Sequence, residues 1–286
     1  MTCLHERLAA GRACLVTAGI APAEAAVDVD LFARTILGWD RARVLTARAE
    51  PVPAALEPRF SEWITRRAHR EPSAYIVGVR EFWGHDFRVT PDVLIPRPES
   101  EFIVEESLAI LEGLGLAAPR LADVGTGSGC LAISLALEIP HATVTATDVS
   151  STALDVAREN ARRHGVEQRV TFAETSFLDA VAGPFDLIAA NPPYVKEGDK
   201  PALARDVRHE PDVALFGGAS GLSGLEAVLE AAAQMLRAGG WLVMEFGFGQ
   251  EDDVRRLVGV RPLLRVDRVR EDLQGIPRTA VIQKAS

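Results

Sequence analysis

Beyond residue 119, short runs rich in β-branched and aliphatic residues alternate with longer stretches whose apolar residues recur at three-to-four spacing. The short runs fall at 120–124, 142–147, 169–173, 186–190, 240–246, 263–269 and 279–283, and helical patterns fill gaps between them at 131–138, 151–164, 224–238 and 250–257. Strands joined through helices pair in parallel, because the crossover returns the chain to the end of the sheet at which it started. The alternation therefore predicts an α/β domain with a mostly parallel seven-stranded sheet, covered by helices on both faces.

The first seventy residues read differently. Leu8, Leu15 and Val16, then Ala26, Val29, Phe32 and Ile36, then Phe60, Trp63 and Ile64 follow a helical period throughout. Four short helices are predicted, with breaks at 19–22, 38–40 and 51–53 and an end near Pro72. The period then changes to that of strands at 75–79 and 87–89, flanking Gly84-His85-Asp86, which predicts a β-hairpin bridging two domains. The run 94–99 holds too many prolines for a helix or an inner strand and leads into an amphipathic helix at 99–114. The expected division is a small helical domain at 1–73, a hairpin and proline-rich linker at 74–98, and the α/β domain at 99–286.

Thirty-one Lys and Arg against forty Asp and Glu give a net charge of −9, which argues against holding a phosphate backbone as the main activity. Stable nucleic-acid binding is not expected. The six histidines lack ligand spacing, so no metal is expected either. Three cysteines without C-x-x-C spacing, and an N-terminus whose apolar residues are interrupted by His5, Glu6, Arg7 and Arg12, point to a reducing cytoplasm. No apolar run is long enough to span a membrane.

Two motifs carry chemistry. The first run ends in Asp123-Val124 and passes into Gly125-Thr126-Gly127-Ser128-Gly129 before a helix, the order with which ligand-binding α/β sheets begin. A dinucleotide fingerprint needs glycine at position 130, where this chain has Cys130, so the spacing G-x-G-x-G points to S-adenosylmethionine rather than NAD. Asp148 ends the next strand, where a carboxylate can accept both ribose hydroxyls of an adenosine; the alternative is a helix cap before Ser150. Phe177 is placed to pack on adenine, with Asp179 or a backbone amide near its exocyclic amine. Asp123 is left with two roles, touching the cofactor's amino group or organising the glycine turn.

The second motif is Asn191-Pro192-Pro193-Tyr194, directly after the apolar run that ends at Ala190. A planar NH2 group is a poor nucleophile because its lone pair is delocalised. The Asn191 side-chain oxygen and the Pro192 carbonyl can each accept one of its N–H bonds and orient the nitrogen. Consecutive prolines hold those carbonyls without an entropic cost on binding, and Tyr194 offers a flat face. Asn191, Pro192 and Tyr194 are the catalytic candidates. Those three with Pro193 form the substrate clamp, and Asn191 also borders the cofactor. An ordinary proline turn after a strand is the competing reading.

Taken together, these motifs resemble the HemK/PrmC family of protein-(glutamine-N5) methyltransferases, over nearly the whole chain. The resemblance is carried by Pro72-Ser73-Ala74-Tyr75-Ile76 with Gly78 and Phe82, by 93–101 with its Pro96-Arg97-Pro98-Glu99, and by 123–129 and 191–194. Arg208-His209-Glu210-Pro211, Gly221-Leu222, Glu245-Phe246-Gly247 with Gln250, and Asp272-Leu273-Gln274-Gly275 with Arg278 match it further on. It implies a Rossmann-like class I methyltransferase domain, joined by the hairpin to N-terminal helices that help grip the substrate. It further implies S-adenosylmethionine held by Gly125, Thr126, Gly127, Ser128, Gly129 and Asp148, with Phe177 stacked on adenine. The implied acceptor is the glutamine of the Gly-Gly-Gln tripeptide in peptide chain release factors, the proteins of translation termination. Ser176, Phe177 and Ser100 depart from the family pattern. Arg97 is expected to hold Glu99, Glu101 or a backbone carbonyl, and Glu245 has either a structural role or a contact with substrate. Two other acceptors fit the tetrapeptide: a glutamine of a ribosomal protein, and the exocyclic amine of a flipped adenine in DNA. The net charge counts against the second. A non-catalytic adapter that only binds the cofactor would not need the clamp.

Overall fold

The computed structural model describes residues 2–286. The chain divides into two compact units, one of residues 1–78 with 204–209, the other of 79–203 with 210–286. The first unit is helical: α1 (Leu4–Thr17), α2 (Pro22–Leu37), α3 (Arg41–Thr46), α4 (Arg59–Ala68) and α5 (Ser73–Val77). Local signals set these boundaries. Pro22 stands in the first turn of α2, Gly38 closes that helix at φ 64°, and the Asp40 carboxylate caps α3 by accepting from the Arg43 amide at 2.7 Å.

Leu4, Leu8 and Leu15 of α1 meet Val29 and Phe32 of α2 and Phe60, Trp63 and Ile64 of α4 in one core. A Cβ on Gly11 would lie 3.0 Å from the Phe60 ring, so the small residue permits α1 and α4 to approach. Beneath that core lies Arg67, only 2% exposed. Its guanidinium bonds Asp28 at 2.6 Å, pairs with Asp206 at 2.8 Å and also reaches Glu24. Asp206 lies far along the chain, so the segment Ala204–His209 is tied to the helices by a buried cation.

The strand expected at 75–79 is a helix until Val77. The amides of Tyr75 and Ile76 bond the Pro72 carbonyl, and Gly78, at φ 80°, ends the turn. A short apolar run has no period that separates strand from helix, and here the proline start and glycine stop decide it. The hairpin is β1 (Val79–Phe82) and β2 (His85–Arg88), joined through Trp83 and Gly84 at φ 52° and 72°. Two positive φ values in a two-residue loop match the twist of the flanking strands. Phe82 and Phe87 are buried in the core of the larger unit, and Asn160 accepts from the Arg88 amide at 2.8 Å while donating to its carbonyl at 3.0 Å. The hairpin is thus packed into the α/β unit rather than free.

That unit continues with α6 (Glu101–Leu114), β3 (Arg120–Val124), α7 (Cys130–Glu138), β4 (Thr143–Asp148), α8 (Ser151–Arg163), β5 (Val170–Glu174) and β6 (Phe185–Ala190). After these come α9 (Asp212–Leu215), α10 (Ser223–Met235), β7 (Leu236–Glu245), α11 (Glu251–Gly259), β8 (Leu264–Glu271) and β9 (Pro277–Lys284). The seven strands stand in the order β5-β4-β3-β6-β7-β9-β8, parallel except where β9 pairs antiparallel with β7 and β8. Leu121, Leu187, Ala189 and Val243 face one core layer, while Ala122, Ile188, Ala190 and Leu242 face the other, so successive residues feed opposite faces of a doubly covered sheet. From β3 the chain runs outward through β4 and β5 and returns to β6 on the other side of β3. This reversal opens a crevice beyond the carboxyl ends of β3 and β6, the place where such sheets bind ligands.

Candidate active site

A cavity occupies that crevice, lined by residues of the glycine turn, by Asp148 and Phe177, by Asn191 and Pro192, and by Val149 and Val213 at its exposed rim. The three glycines of the turn divide their work. Gly125 and Gly127 line the cavity at φ 73° and 54°, and a Cβ on either would meet nothing within 4 Å, so the bare backbone faces open space. Gly129 faces the other way. A Cβ there would lie 2.9 Å from Ile133 and 3.1 Å from Ala157, so this glycine lets α7 and α8 pack.

Asp123 lies under the turn, wholly buried and away from the cavity lining. Its Oδ2 accepts from the Thr126 hydroxyl at 2.6 Å and from the Ala132 amide at 3.1 Å. Burial pushes its carboxyl up to about 7 against those two bonds. Of the two roles left open for Asp123, the geometry supports organising the turn. Thr126 and Ser128 are likewise buried: the Thr126 amide bonds the Thr147 carbonyl at 2.8 Å, and the Ser128 carbonyl accepts from Asn160 at 2.8 Å.

Asp148 borders the cavity from the end of β4. Its oxygens accept from the Gly127 amide at 2.9 Å and the Ser150 amide at 3.0 Å, which aims the carboxylate and leaves lone pairs for further donors. The cap of α8 is Ser150 itself, whose hydroxyl accepts from the Ala153 amide at 3.1 Å. Phe177 reaches the cavity from a left-handed backbone, φ 49°, a conformation that costs a non-glycine residue ~1–3 kcal/mol. Asp179 is exposed and outside the lining.

The tetrapeptide leaves β6 into a braced loop. Cβ atoms on Gly217, Gly221 and Gly224 would stand 2.5, 2.6 and 2.7 Å from the Pro193, Tyr194 and Pro193 carbonyls, so three glycines let the following chain close against it. Gln250 donates to the Tyr194 carbonyl at 3.1 Å and accepts from the Gly247 amide at 2.8 Å. Asn191 Nδ2 donates to Ser100 Oγ at 2.8 Å, and Ser100 in turn donates to Glu245 Oε2 at 2.6 Å. The Tyr194 hydroxyl bonds the other oxygen of Glu245 at 3.0 Å. Burial raises the proton affinity of Glu245 and of the Tyr194 hydroxyl alike. Among the described residues, none donates to Asn191 Oδ1 or to the Pro192 carbonyl. Two acceptors therefore stand open beside the cavity.

Comparison with known proteins agrees along the chain. Residues 6–78 match the family model described as the PrmC N-terminal domain, and residues 105–215 match the methyltransferase small domain. A release factor glutamine methyltransferase of Bradyrhizobium diazoefficiens is 39% identical over 264 residues, 91% of this chain and 89% of the relative. One from Nitratidesulfovibrio vulgaris is 44% identical over 223 residues, 77% of this chain and 75% of its own. This chain belongs to the release factor glutamine methyltransferase family. A solved methyltransferase from Pyrococcus furiosus superposes with a TM-score of 0.53 at 20% identity, over 72% of this chain and 91% of that one, a likeness of fold alone.

As a release factor glutamine methyltransferase family member, the protein brings Gly125, Gly127, Asp148, Phe177, Asn191, Pro192 and Pro193 of the expected site to one cavity. Asp123, Thr126, Ser128 and Gly129 stand behind it as supports. Tyr194 is outside the lining, held by Glu245. Arg97 pairs with neither Glu99 nor Glu101. Its partner is the buried Glu210, at 2.5 Å, which also accepts from the Ile95 amide at 3.1 Å. The sequence does not mark Ser100, Gly217 or Gly224 for the site: Ser100 reads only as a departure from the family pattern, and the two glycines carry no local signature. Among the described residues no His, Cys, Asp or Glu cluster is arranged to hold a metal, and no helix is long and apolar enough to cross a membrane.

Proposed function

We propose that this protein transfers a methyl group from S-adenosylmethionine to the side-chain amide nitrogen of the glutamine in the Gly-Gly-Gln motif of peptide chain release factors. The observation that carries this reading is the pair of open acceptors, Asn191 Oδ1 and the Pro192 carbonyl, at the end of β6 beside the cavity. A primary carboxamide has two N–H bonds to give, one to each oxygen. Accepting both turns the nitrogen's remaining electron density toward the cavity and fixes the approach direction. Tyr194, whose hydroxyl is held by Glu245, backs this clamp from outside the cavity lining.

The residues present fit the cofactor. Gly125 and Gly127 leave room for a ligand against bare backbone, Asp148 is aimed with lone pairs to spare, and the Phe177 ring reaches the cavity. The bound sulfonium supplies an activated methyl, so the chain's own work is to hold, orient and exclude water. The helices that match the PrmC N-terminal domain are assigned to gripping the release factor. Free cysteines at 3, 14 and 130 support a cytoplasmic enzyme.

The test is incubation with labelled S-adenosylmethionine and purified release factor, either wild type or with the tripeptide glutamine replaced. Label should enter the first and not the second. Equal labelling of both would overturn the assignment of the acceptor.

A further inference from the structure

The reading above requires Asn191 to present its oxygen to the substrate, although a carboxamide is nearly symmetric in shape and fits a site equally well with its oxygen and nitrogen exchanged. Something must choose between the two. The side chains that could do so are Ser100 and Glu245, 3% and 2% exposed, neither of them lining the cavity.

We propose that Glu245, acting through Ser100, sets the polarity of the Asn191 carboxamide, and is thus a positioning residue for the methyl acceptor. This rests on the proposed function. The argument is a count of protons. The Tyr194 and Ser100 hydroxyls both donate to Glu245 and oppose the burial that raises its proton affinity, and in the ionised form they favour, the carboxylate only accepts. Oε1 of Glu245 takes the Tyr194 hydroxyl proton, and Oε2 takes the single proton of Ser100. Ser100 Oγ then has no proton left and can only accept from Asn191. The bond of 2.8 Å is accordingly Nδ2–H to Oγ, and Oδ1 is turned outward to the substrate. With the amide reversed, Asn191 Oδ1 and Ser100 Oγ would face each other as two acceptors without a proton between them, a buried mismatch.

The same count states what Glu245→Gln does. The glutamine oxygen still accepts from Tyr194, so its NH2 faces Ser100 and donates to it. The Ser100 proton is released to bond Asn191 Oδ1. The Asn191 amide flips, and an NH2 group meets the substrate NH2. Shape and packing barely change, yet the acceptor is lost.

The experiment compares wild type, E245Q, S100A and the S100A/E245Q double variant in methyl transfer to purified release factor, with cofactor affinity measured in parallel. E245Q should lower kcat on the order of 100-fold, the scale of a misplaced reacting group, and leave the cofactor Kd within about twofold because the cofactor cradle is untouched. S100A, which frees the amide without inverting it, should cost less. The double variant should be more active than E245Q, because removing the hydroxyl cuts the inverting relay; a merely structural role for Glu245 would make the double variant worse. A second readout needs no substrate. In 15N-labelled protein one Asn191 side-chain proton should exchange slowly with solvent in wild type, and that protection should vanish in E245Q. Wild-type turnover by E245Q, a double variant no better than E245Q, or unprotected Asn191 protons in wild type would each overturn the inference. An inactive wild type with a protected Asn191 proton would instead sink the proposed function and leave the polarity relay standing.

Discussion

A single nitrogen in a carboxamide governs the chemistry proposed for this protein, and the residues that address it can be tested one at a time. Asn191→Ala removes one of the two open acceptors without touching Gly125, Gly127 or Asp148. Turnover should collapse while cofactor affinity, read by calorimetry, stays near wild type. Equal loss of both would contradict the assigned role. Asp148→Ala should act in reverse, weakening the cofactor by ~1–3 kcal/mol through the loss of buried hydrogen bonds; an unchanged Kd would remove Asp148 from the site. Asp123 carries a different signature. Its carboxyl is raised from its ordinary 3.8 to about 7 in the fold. Between these values the unfolded chain has released the proton and the folded one retains it, so this group's contribution to stability falls as pH rises from about 4 to about 7 and then levels. Asp123→Asn keeps an acceptor for Thr126 and Ala132 and does not titrate. In urea unfolding, the variant should therefore gain on wild type between pH 5 and pH 8. Parallel pH trends in the two proteins would refute the assignment.

Elements place these groups at the carboxyl ends of neighbouring strands: β3 runs into the glycine turn, β4 ends in Asp148, and Asn191 directly follows β6. Glycines at close approaches then decide how the elements seat. Gly129→Ala meets both a positive φ of 83° and atoms at 2.9 Å and 3.1 Å on α7 and α8, so it should destabilise the fold by ~1–3 kcal/mol, measured by denaturant unfolding. Gly217→Ala would press a methyl against the Pro193 carbonyl, 2.5 Å away, and shift the clamp rather than the core. Its expected outcome is reduced turnover together with a lowered unfolding midpoint, because the atoms it meets are backbone and cannot swing aside. The strongly periodic elements were legible from sequence: four N-terminal helices and seven strands appear where apolar spacing puts them. Residues 75–77 were not, since a short apolar run fits either period until the proline and glycine beside it are weighed. Residues 236–238, expected to end a helix, already belong to β7, because pairing with Phe185 draws Leu236 into the sheet.

At the scale of the whole molecule, the chain leaves the α/β unit after Leu203, packs Ala204–His209 with the N-terminal helices, and returns at Glu210. Arg67 holds that excursion through Asp206, and Glu210, bonded to Arg97 and to the Ile95 amide, anchors the return. Arg67→Met would leave Asp28, itself 4% exposed, as an uncompensated buried carboxylate. The expected cost is about 3–5 kcal/mol, with hydrogen exchange rising across 204–209 in the full chain. Unchanged protection there would show that the ion pair does not secure the segment.

The alternation of strand and helix, the G-x-G-x-G turn and the Asn-Pro-Pro-Tyr clamp were all determined by the sequence alone, because each is written in contiguous residues whose spacing sets backbone geometry locally. The side chains that orient the clamp were decided only by the tertiary structure. Ser100 lies 91 positions from Asn191 and 145 from Glu245, and the three meet only because the start of α6 lies against the carboxyl ends of β6 and β7. Which way a carboxamide faces depends on the protons of its neighbours, and no run of adjacent residues records who those neighbours are.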